Sequence, residues 1–376
     1  MMYKALFFLA LPFKLYVDVA SYLYGFVFFG IGYYLSLVVS FCLIIFLLVF
    51  NKLRRVDDRT LLGVISLFFI VTLSYFYQSI FGVKSGNFFE GMISYFTFVP
   101  LCFFYFCSGF GFRENLDYNW LFSYWFLSIG IILPYQIFSD IWLTLNENGA
   151  YLRISDCLSV LTLFLMSHEK TSRTRFTFIF MMTMLTLFFL GSRSSLATFF
   201  VASVLYFTFN HLKATLDKCL TMFFLLSLFV FAIHLNLLEY ILDSDFRVVT
   251  SIQSNTLGGG DIRLSYFLNG IDRISDSPIN GNLYERIDQT PYPGDYIHNI
   301  FFIYDDFGLI PFIVTLYLIF NITKYVFNKK NRRFLGVFAF CLLSMIIARA
   351  YSFPYVYMIL GMMAIKFKSL NKEEIR

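Results

Sequence analysis

The chain has 376 residues, of which 59% are hydrophobic and 14% are charged, and its formal net charge is +5. Soluble domains have about 45–50% apolar and about 25% charged residues, so this composition excludes an ordinary soluble protein. The long uncharged runs suit helices that cross a bilayer, which need about 20 residues each. A transmembrane barrel would show alternating segments of about 10 residues instead.

Cysteine placement and charge placement narrow the class further. All six cysteines lie inside apolar runs, which argues against an external disulfide framework and against a zinc site. Most of the positive charge lies in short segments between the apolar runs. Membrane topology therefore explains it better than affinity for nucleic acid does, and we expect no nucleic-acid partner.

Twelve apolar runs predict an all-α, polytopic integral membrane protein with about 12 transmembrane helices in one domain, residues 1–376. In chain order the runs lie near residues 3–17, 20–50, 61–81, 92–112, 120–138, 153–167, 176–191, 194–210, 218–238, 298–322, 335–348 and 354–367.

Basic segments between these runs predict the orientation of the chain. Five segments carry most of the lysines and arginines. An even number of runs separates each segment from the next, so all five lie on the same side of the membrane, and the positive-inside rule places that side in the cytoplasm. They are NKLRRVDDR, HEKTSRTR, HLKATLDK, KYVFNKKNRR and the C-terminal KFKSLNKEEIR. Both termini are then cytoplasmic, and residues 239–297 form one large outer loop.

The outer loop carries acidic residues and arginines but no lysine. Its cations are Arg247, Arg263, Arg273 and Arg286. One explanation is that translocation disfavours positive charge and these arginines are what remained. The other is that the planar guanidinium binds phosphate bidentately, which a lysine cannot do. Apolar residues at 264, 267, 268, 271 and 274 have helical spacing and predict an amphipathic helix on the membrane surface.

The segment GSRSSL, residues 191–196, interrupts two apolar runs at the predicted outer surface. Arg193 within it is either an arginine that reaches the lipid headgroups from a tight loop or part of an anion site. The second interpretation uses the backbone N–H groups at the start of the following helix, which favour an anion. A phosphate on a lipid carrier fits a site at that depth.

His298 and Asn299 begin an apolar run that also contains Asp305 and Asp306. A histidine there meets both water and headgroups and can donate to a phosphate or take a proton from a hydroxyl, or it simply caps the helix. For the aspartates we prefer an interhelical ion pair with a buried cation such as Arg349. Tyr296 and other tyrosines of the outer loop are candidates for stacking on sugar rings.

Two further acidic patterns are weaker candidates. DSD, residues 243–245, matches the DxD pattern of metal-dependent glycosyltransferases, but a tripeptide in an acidic loop arises easily by chance. Asp18 lies in the predicted first outer loop, where some membrane glycosyltransferases of the GT-C type keep a catalytic acid.

Taken in order, GSRSSL, RLSYFLNGIDRISDSPINGNL and HNIFFIYDDFGLIP resemble motifs of the O-antigen polymerase and O-antigen ligase superfamily. Its members show an arginine turn, then an outer loop with an arginine and a P-x-x-G turn, then HN and a glycine–leucine pair. Pro278 to Gly281, His298, Asn299, Gly308 and Leu309 occupy those places. YLRISD, residues 151–156, is similar to an upstream arginine motif without its usual glycine and asparagine. The motifs cover roughly residues 188–320.

The resemblance implies a GT-C-like fold and a metal-independent glycosyl transfer with no cofactor at the outer face of the bacterial inner membrane. An acceptor sugar hydroxyl attacks the anomeric carbon of an oligosaccharide carried on undecaprenyl pyrophosphate. The residues it assigns to catalysis are His298, Arg193 and Arg263. Those assigned to substrate binding are Arg153, Arg247, Arg273 and Asn299, and Tyr296 joins them as a candidate for stacking on a sugar ring.

Three functions fit these expectations. The first is an O-antigen polymerase, which joins lipid-linked repeat units and which the short chain and the loose motif matches favour. The second is an O-antigen ligase, which uses the same donor with lipid A-core as acceptor. The third is a lipid-linked oligosaccharide flippase, which would carry charges along the helices of a central cavity. The expected partners are the lipid-linked oligosaccharide, membrane lipids and a protein that regulates chain length.

Overall fold

A computed structural model of the chain describes residues 6–24, 58–81, 88–112, 117–138, 150–211, 260–289, 299–328, 331–347, 349 and 353–364. The described part is helical, and no strand occurs within it, which confirms the all-α class for these residues. The apolar run 218–238 and most of the run 20–50 lie outside the described residues.

The α-helices of the described part are α1 (Lys14–Tyr24), α2 (Asp58–Phe81), α3 (Phe88–Phe112), α4 (Tyr118–Phe138), α5 (Ala150–Met166), α6 (Arg173–Phe189), α7 (Arg193–His211), α8 (Gly260–Asp276), α9 (Leu283–Gln289), α10 (Phe302–Phe307), α11 (Leu309–Val326), α12 (Leu335–Ile347) and α13 (Pro354–Ala364). A π-helical segment, Leu9–Phe13, precedes α1, and a 3₁₀ turn, Arg332–Phe334, precedes α12.

Two of the predicted runs have different limits in the structure. Helix α1 continues through Asp18, so the loop expected between residues 17 and 20 is wrong. The Nζ atom of Lys14 lies 2.6 Å from the Asp18 carboxylate, one helical turn away. The run 298–322 is divided at Gly308 into α10 and α11.

Among the described residues, two helices are long and apolar enough to cross a membrane, namely Arg59–Phe81 and Leu309–Val326. Shorter apolar helices in the same part of the chain cover Phe98–Phe110 and Pro354–Ala364. These helices are consistent with membrane association, but they do not confirm about 12 transmembrane helices, which stays a prediction.

Helices α2 and α11 pack antiparallel and both leave apolar side chains exposed. Gly63 of α2 lies against Leu318 of α11, and Ser74 of α2 lies against the backbone at Phe307, just before α11. The exposed side of helix α2 includes Phe69, which is 61% exposed, and Ile80, which is 72% exposed. Soluble monomers rarely expose such a contiguous apolar surface, whereas lipid tails would cover it favourably.

Helices α5, α6, α7 and α12 form a group in which the predicted basic segments meet at one end, here called the basic end. Arg333, just before α12, donates from Nη1 to Glu169 after α5 at 2.6 Å. Asn210 at the end of α7 donates to the Arg332 carbonyl at 3.4 Å. Arg175, at the start of α6, lies over the Tyr118 ring. These contacts unite three segments that the charge pattern assigns to one side.

Helices α3 and α13 make the most extensive helix pair, and two glycines allow it. A Cβ atom on Gly109 would fall inside contact distance of the Met358 carbonyl, and one on Gly361 would fall inside contact distance of the Phe106 carbonyl. Both obstacles are backbone atoms, which cannot rotate away. Small residues at such crossings are the usual means by which helices approach closely in membranes.

We expect Gly109→Ala to destabilise the protein by about 1–3 kcal/mol, because the added methyl forces two packed helices apart. The measurement is the melting temperature of the detergent-solubilised protein. Gly130→Ala in α4 is the matched control, since a Cβ there meets nothing within 4 Å. Equal melting temperatures for the two variants would contradict the close contact between α3 and α13.

Candidate functional site

The P-x-x-G turn, which lies in the predicted outer loop, docks on the break between α10 and α11. The N–H of Leu309 donates to the Pro278 carbonyl at 3.1 Å, and the N–H of Asn282 donates to the Asp305 carbonyl at 2.7 Å. Gly281 and Gly308 have φ angles of 75° and 87°. The two sequence elements that carry the family resemblance in this region are therefore in direct backbone contact.

Glycine is required at both places by conformation and by space. Left-handed φ angles strain other L-residues. A Cβ on Gly281 would also lie 2.5 Å from the Asp306 carbonyl oxygen, and one on Gly308 would overlap the Ile279 carbonyl. A side chain at either glycine would therefore clash with the backbone of the other segment.

Gln78, in the buried face of α2, holds this junction together. Its side-chain nitrogen lies 2.8 Å from each of the Asn280 and Asp306 carbonyl oxygens, and its side-chain oxygen accepts from the Leu283 N–H at 2.8 Å. One amide therefore bonds to the turn, to α9 and to α10. The sequence signal for this role is a lone amide side chain within a strongly apolar run, and the motif reasoning missed it.

Two buried ion pairs fix the loop helices to α10. Arg273 of α8 donates from Nε and Nη2 to the two carboxylate oxygens of Asp305 at 2.9 and 2.5 Å. Arg286 of α9 donates from Nε to Asp306 at 2.5 Å and lies over the Phe302 ring. The interpretation of the aspartates as buried ion-pair partners is confirmed, and Arg349 as their cation is wrong.

Burial makes these pairs costly to break. Both aspartates are fully buried, and removal of one partner of such a pair costs about 3–5 kcal/mol because the other charge stays buried. Asp305 lies before the candidate membrane span Leu309–Val326. Burial raises the pKa of its carboxyl above the ordinary value, and the hydrogen bond from Arg273 lowers it. Arg273, which we predicted to bind substrate, has two of its nitrogens directed to Asp305.

A second buried cluster joins α5, the start of α7 and the segment before α13. Arg349 donates from Nε to Asp156 Oδ2 at 2.5 Å and from Nη2 to Oδ1 at 2.9 Å. Ser195 bonds to the same Oδ1 at 2.6 Å, and Ser192 bonds to Ser195 at 2.7 Å. We call these four residues, Asp156, Ser192, Ser195 and Arg349, the serine–arginine cluster.

This cluster contains two of the three serines of the GSRSSL segment, Ser192 and Ser195, and lies beside the predicted arginines Arg193 and Arg153. Arg193 is the first residue of α7 and is half-buried. Arg153 is also half-buried and precedes Asp156 by three residues on α5, a spacing that puts the two side chains on neighbouring parts of the helix surface. The upstream arginine motif and the arginine turn, far apart in sequence, are thereby brought to the same end of the helices.

Aromatic contacts extend from the docked turn into the helices. Phe307, beside the docked turn, stacks on Phe98 of α3 with ring centroids 6.2 Å apart. Phe98 in turn packs edge-on against Tyr357 in the first turn of α13 at 5.9 Å. These contacts fix the docked turn to α3 and α13.

Some of the remaining predicted residues are described by the structure and others are not. Asn299 accepts from the Phe301 N–H at 2.9 Å and so shapes the start of α10. Arg263 lies in α8, and its side chain is outside the description. Arg247, Tyr296 and His298 lie outside the described residues, as does DSD. Their predicted roles stay predictions.

Other acidic residues do not gather into a metal site within the described part. No group of three or more His, Cys, Asp or Glu side chains there could hold a metal ion. Asp18 is buried, lies in α1 and is paired with Lys14.

No protein-family model matches this chain, and no curated protein matches it. Asp156 was not among the predicted site residues, although it ends the YLRISD segment. Its signal was an aspartate inside a run of apolar residues, a place where a charge needs a partner.

We expect Gln78→Leu to loosen the docked turn, because it removes a donor and an acceptor from buried backbone groups. Leaving such groups unsatisfied costs about 1–3 kcal/mol, which corresponds to an open population of the turn that is about five- to 150-fold larger. Hydrogen exchange of peptides covering residues 277–286 measures it. Ser66→Leu, at an exposed position of the same helix, is the control. Unchanged exchange in Gln78→Leu would show that the turn is held without this amide.

Proposed function

We propose that the chain is an O-antigen polymerase of the bacterial inner membrane. It joins undecaprenyl-pyrophosphate-linked repeat units into O-polysaccharide on the periplasmic face. About 12 transmembrane helices in a GT-C-like arrangement, a periplasmic loop at 239–297 and two cytoplasmic termini belong to this proposal. The exposed apolar faces of α2 and α11 and the basic end of the helices support a membrane-embedded chain with that orientation.

The observation that carries the proposal is the convergence of the resembling motifs. Pro278, Gly281, Gly308 and Leu309 meet in one docked turn, and Ser192 and Ser195 of GSRSSL join Asp156 from YLRISD in one cluster. The assembly supports a shared site at the end of the helices opposite the basic end.

The chemistry of the proposed reaction suits arginines at this end. A hydroxyl of the acceptor sugar attacks the anomeric carbon, the bond from that carbon to the pyrophosphate oxygen breaks, and the hydroxyl proton passes to a base. The leaving pyrophosphate gains negative charge, which donors must stabilise, and one such donor is typically worth about 10²–10³ in rate. In this proposal Arg193, at the start of α7, would supply such donors to the pyrophosphate, and Arg263 and Arg153 would lie near it.

His298 is the proposed base because it is the first residue of the apolar run 298–322 and would meet water at the membrane surface. Neutral imidazole accepts a proton near physiological pH. Asn299, the next residue, would contact a sugar or the imidazole. Arg247, Arg273 and Tyr296 would bind the carrier or its sugars from the loop.

The first experiment is gel analysis of lipopolysaccharide from cells in which the gene is deleted and then restored, with their lipid-linked intermediates. We expect deletion to leave lipid A-core capped with one repeat unit, and restoration to return a ladder. Restoration with Arg193→Ala should give no ladder at an unchanged protein level, because the donor to the pyrophosphate is lost.

Other patterns in the same gel would identify another function. Bare core with long polymer retained on the carrier would mean a ligase. Bare core with single units trapped on the cytoplasmic face would mean a flippase. A wild-type ladder in the Arg193→Ala strain would remove Arg193 from the site.

We further expect His298→Ala to shorten or abolish the ladder more than the same change at the two comparison histidines, His211 and His234. The reason is that His298 alone of the three lies at the mouth of the predicted outer segment, whereas His211 ends α7 at the basic end. The readout is the ladder length at matched protein levels. Equal and negligible effects for all three variants would exclude His298 as the base.

A further inference from the structure

The hydrogen bonds of the serine–arginine cluster have a forced direction. An ionised carboxylate only accepts and a guanidinium only donates. Ser195 lies between the two, with its hydroxyl 2.6 Å from Asp156 and 3.0 Å from Nη2 of Arg349. Its single proton must therefore go to Asp156, and the Ser192 hydroxyl must donate to Ser195. Asp156 is the acceptor at the end of this chain.

The chain of bonds restrains both sides of Arg193. Ser192 precedes Arg193 and Ser195 follows it by two residues, and both serine side chains are buried and directed inward. Gly191, with a φ of 70°, turns the backbone immediately before them. The first turn of α7 is thus bound to α5 through Asp156 and to the segment before α13 through Arg349.

We propose that Asp156 is a positioning residue for Arg193, holding the start of α7 in the orientation that presents Arg193 to the pyrophosphate of the lipid carrier. The inference rests on the proposed function, because it takes the pyrophosphate as the group that Arg193 meets. Asp156 itself contacts neither carrier nor sugar. It acts by binding Arg349 and, through Ser195 and Ser192, by fixing the turn.

Two substitutions separate positioning from folding. Asp156→Asn removes the charge that neutralises Arg349, so this variant can fail by unfolding. Ser195→Ala keeps the ion pair and removes the hydrogen bonds that link the turn to Asp156 and Arg349. Displacement of a reacting group by about 1 Å can cost about 10²-fold in rate. We expect Ser195→Ala to lower polymer formation about ten- to hundredfold in folded protein, and Asp156→Asn at least as much.

A matched control lies at the other end of the same helices. Glu169 follows α5 and pairs with Arg333 before α12 at 2.6 Å, with side chains 81% and 39% exposed. Exposed pairs of this kind contribute little. Glu169→Gln should therefore change polymer formation less than about twofold.

A double-mutant cycle tests whether Ser195 acts through Arg193. Polymer formation from a synthetic lipid-linked repeat unit is measured with purified protein in nanodiscs for wild type, Ser195→Ala, Arg193→Lys and the double variant. Groups that act together give non-additive losses. We expect Ser195→Ala to cost clearly less in the Arg193→Lys background than in wild type. The same fold-loss in both backgrounds would overturn the proposal.

A second readout follows the turn without any catalysis. With Ser194→Cys as the reporter, the rate of alkylation by a membrane-impermeant maleimide reports how the start of α7 is presented, and wild-type protein gives the background. We expect Asp156→Asn and Ser195→Ala to change that rate severalfold and Glu169→Gln to leave it unchanged. Unchanged alkylation rates in both Asp156→Asn and Ser195→Ala would show that Asp156 does not fix the turn, and would overturn the proposal.

The two readouts distinguish this inference from the proposed function. A wild-type protein that makes no polymer from lipid-linked units, but whose labelling responds to Asp156→Asn, would overturn the function and leave the structural hold in place. Wild-type rates of polymer formation in both Asp156→Asn and Ser195→Ala would overturn the positioning role and leave the function in place.

Discussion

The burial of charge among apolar helices is the constraint on which the rest of this structure depends. An ionised side chain removed from water must be paired and hydrogen-bonded, or it costs several kcal/mol. Asp156, Asp305 and Asp306 are all buried, and each holds an arginine from another element. Because every pair joins segments far apart in sequence, the same contacts that neutralise charge also decide which segments meet.

The docked turn shows the consequence for the backbone. Once Arg273 and Arg286 bind the consecutive aspartates of α10, the short segment between α8 and α9 must pass over Gly308. Close passage requires glycine on both sides, and the carbonyls of Asn280 and Asp306, which are removed from water there, need a donor, which Gln78 provides from α2. Ion pairs, glycines and one amide thus depend on one another, and none of them alone would hold the loop.

Much of the architecture could be predicted because apolar run length and charge alternation are local signals. The limits of α2, α6 and α7 agree closely with the runs 61–81, 176–191 and 194–210. The partners of Asp305 and Asp306 could not be predicted, because seven outer arginines were available and spacing does not say which one folds back. Asp18 was misplaced because a Lys14–Asp18 pair one turn apart lets a charged stretch stay helical, which hydropathy does not show. Gln78 was missed because its partners are backbone atoms, which leave no pattern in the sequence.

The pairing of charges also limits what three of the predicted outer arginines can do. Arg273, Arg286 and Arg349 direct their guanidinium nitrogens to buried carboxylates, so their planar forks are engaged in holding the fold. A phosphate competing for one of them would have to leave an aspartate buried without its counter-charge, which costs several kcal/mol. Arg273 is therefore a weaker candidate for anion binding than its place in the sequence suggests, because the same side chain that could bind a phosphate is needed to neutralise Asp305.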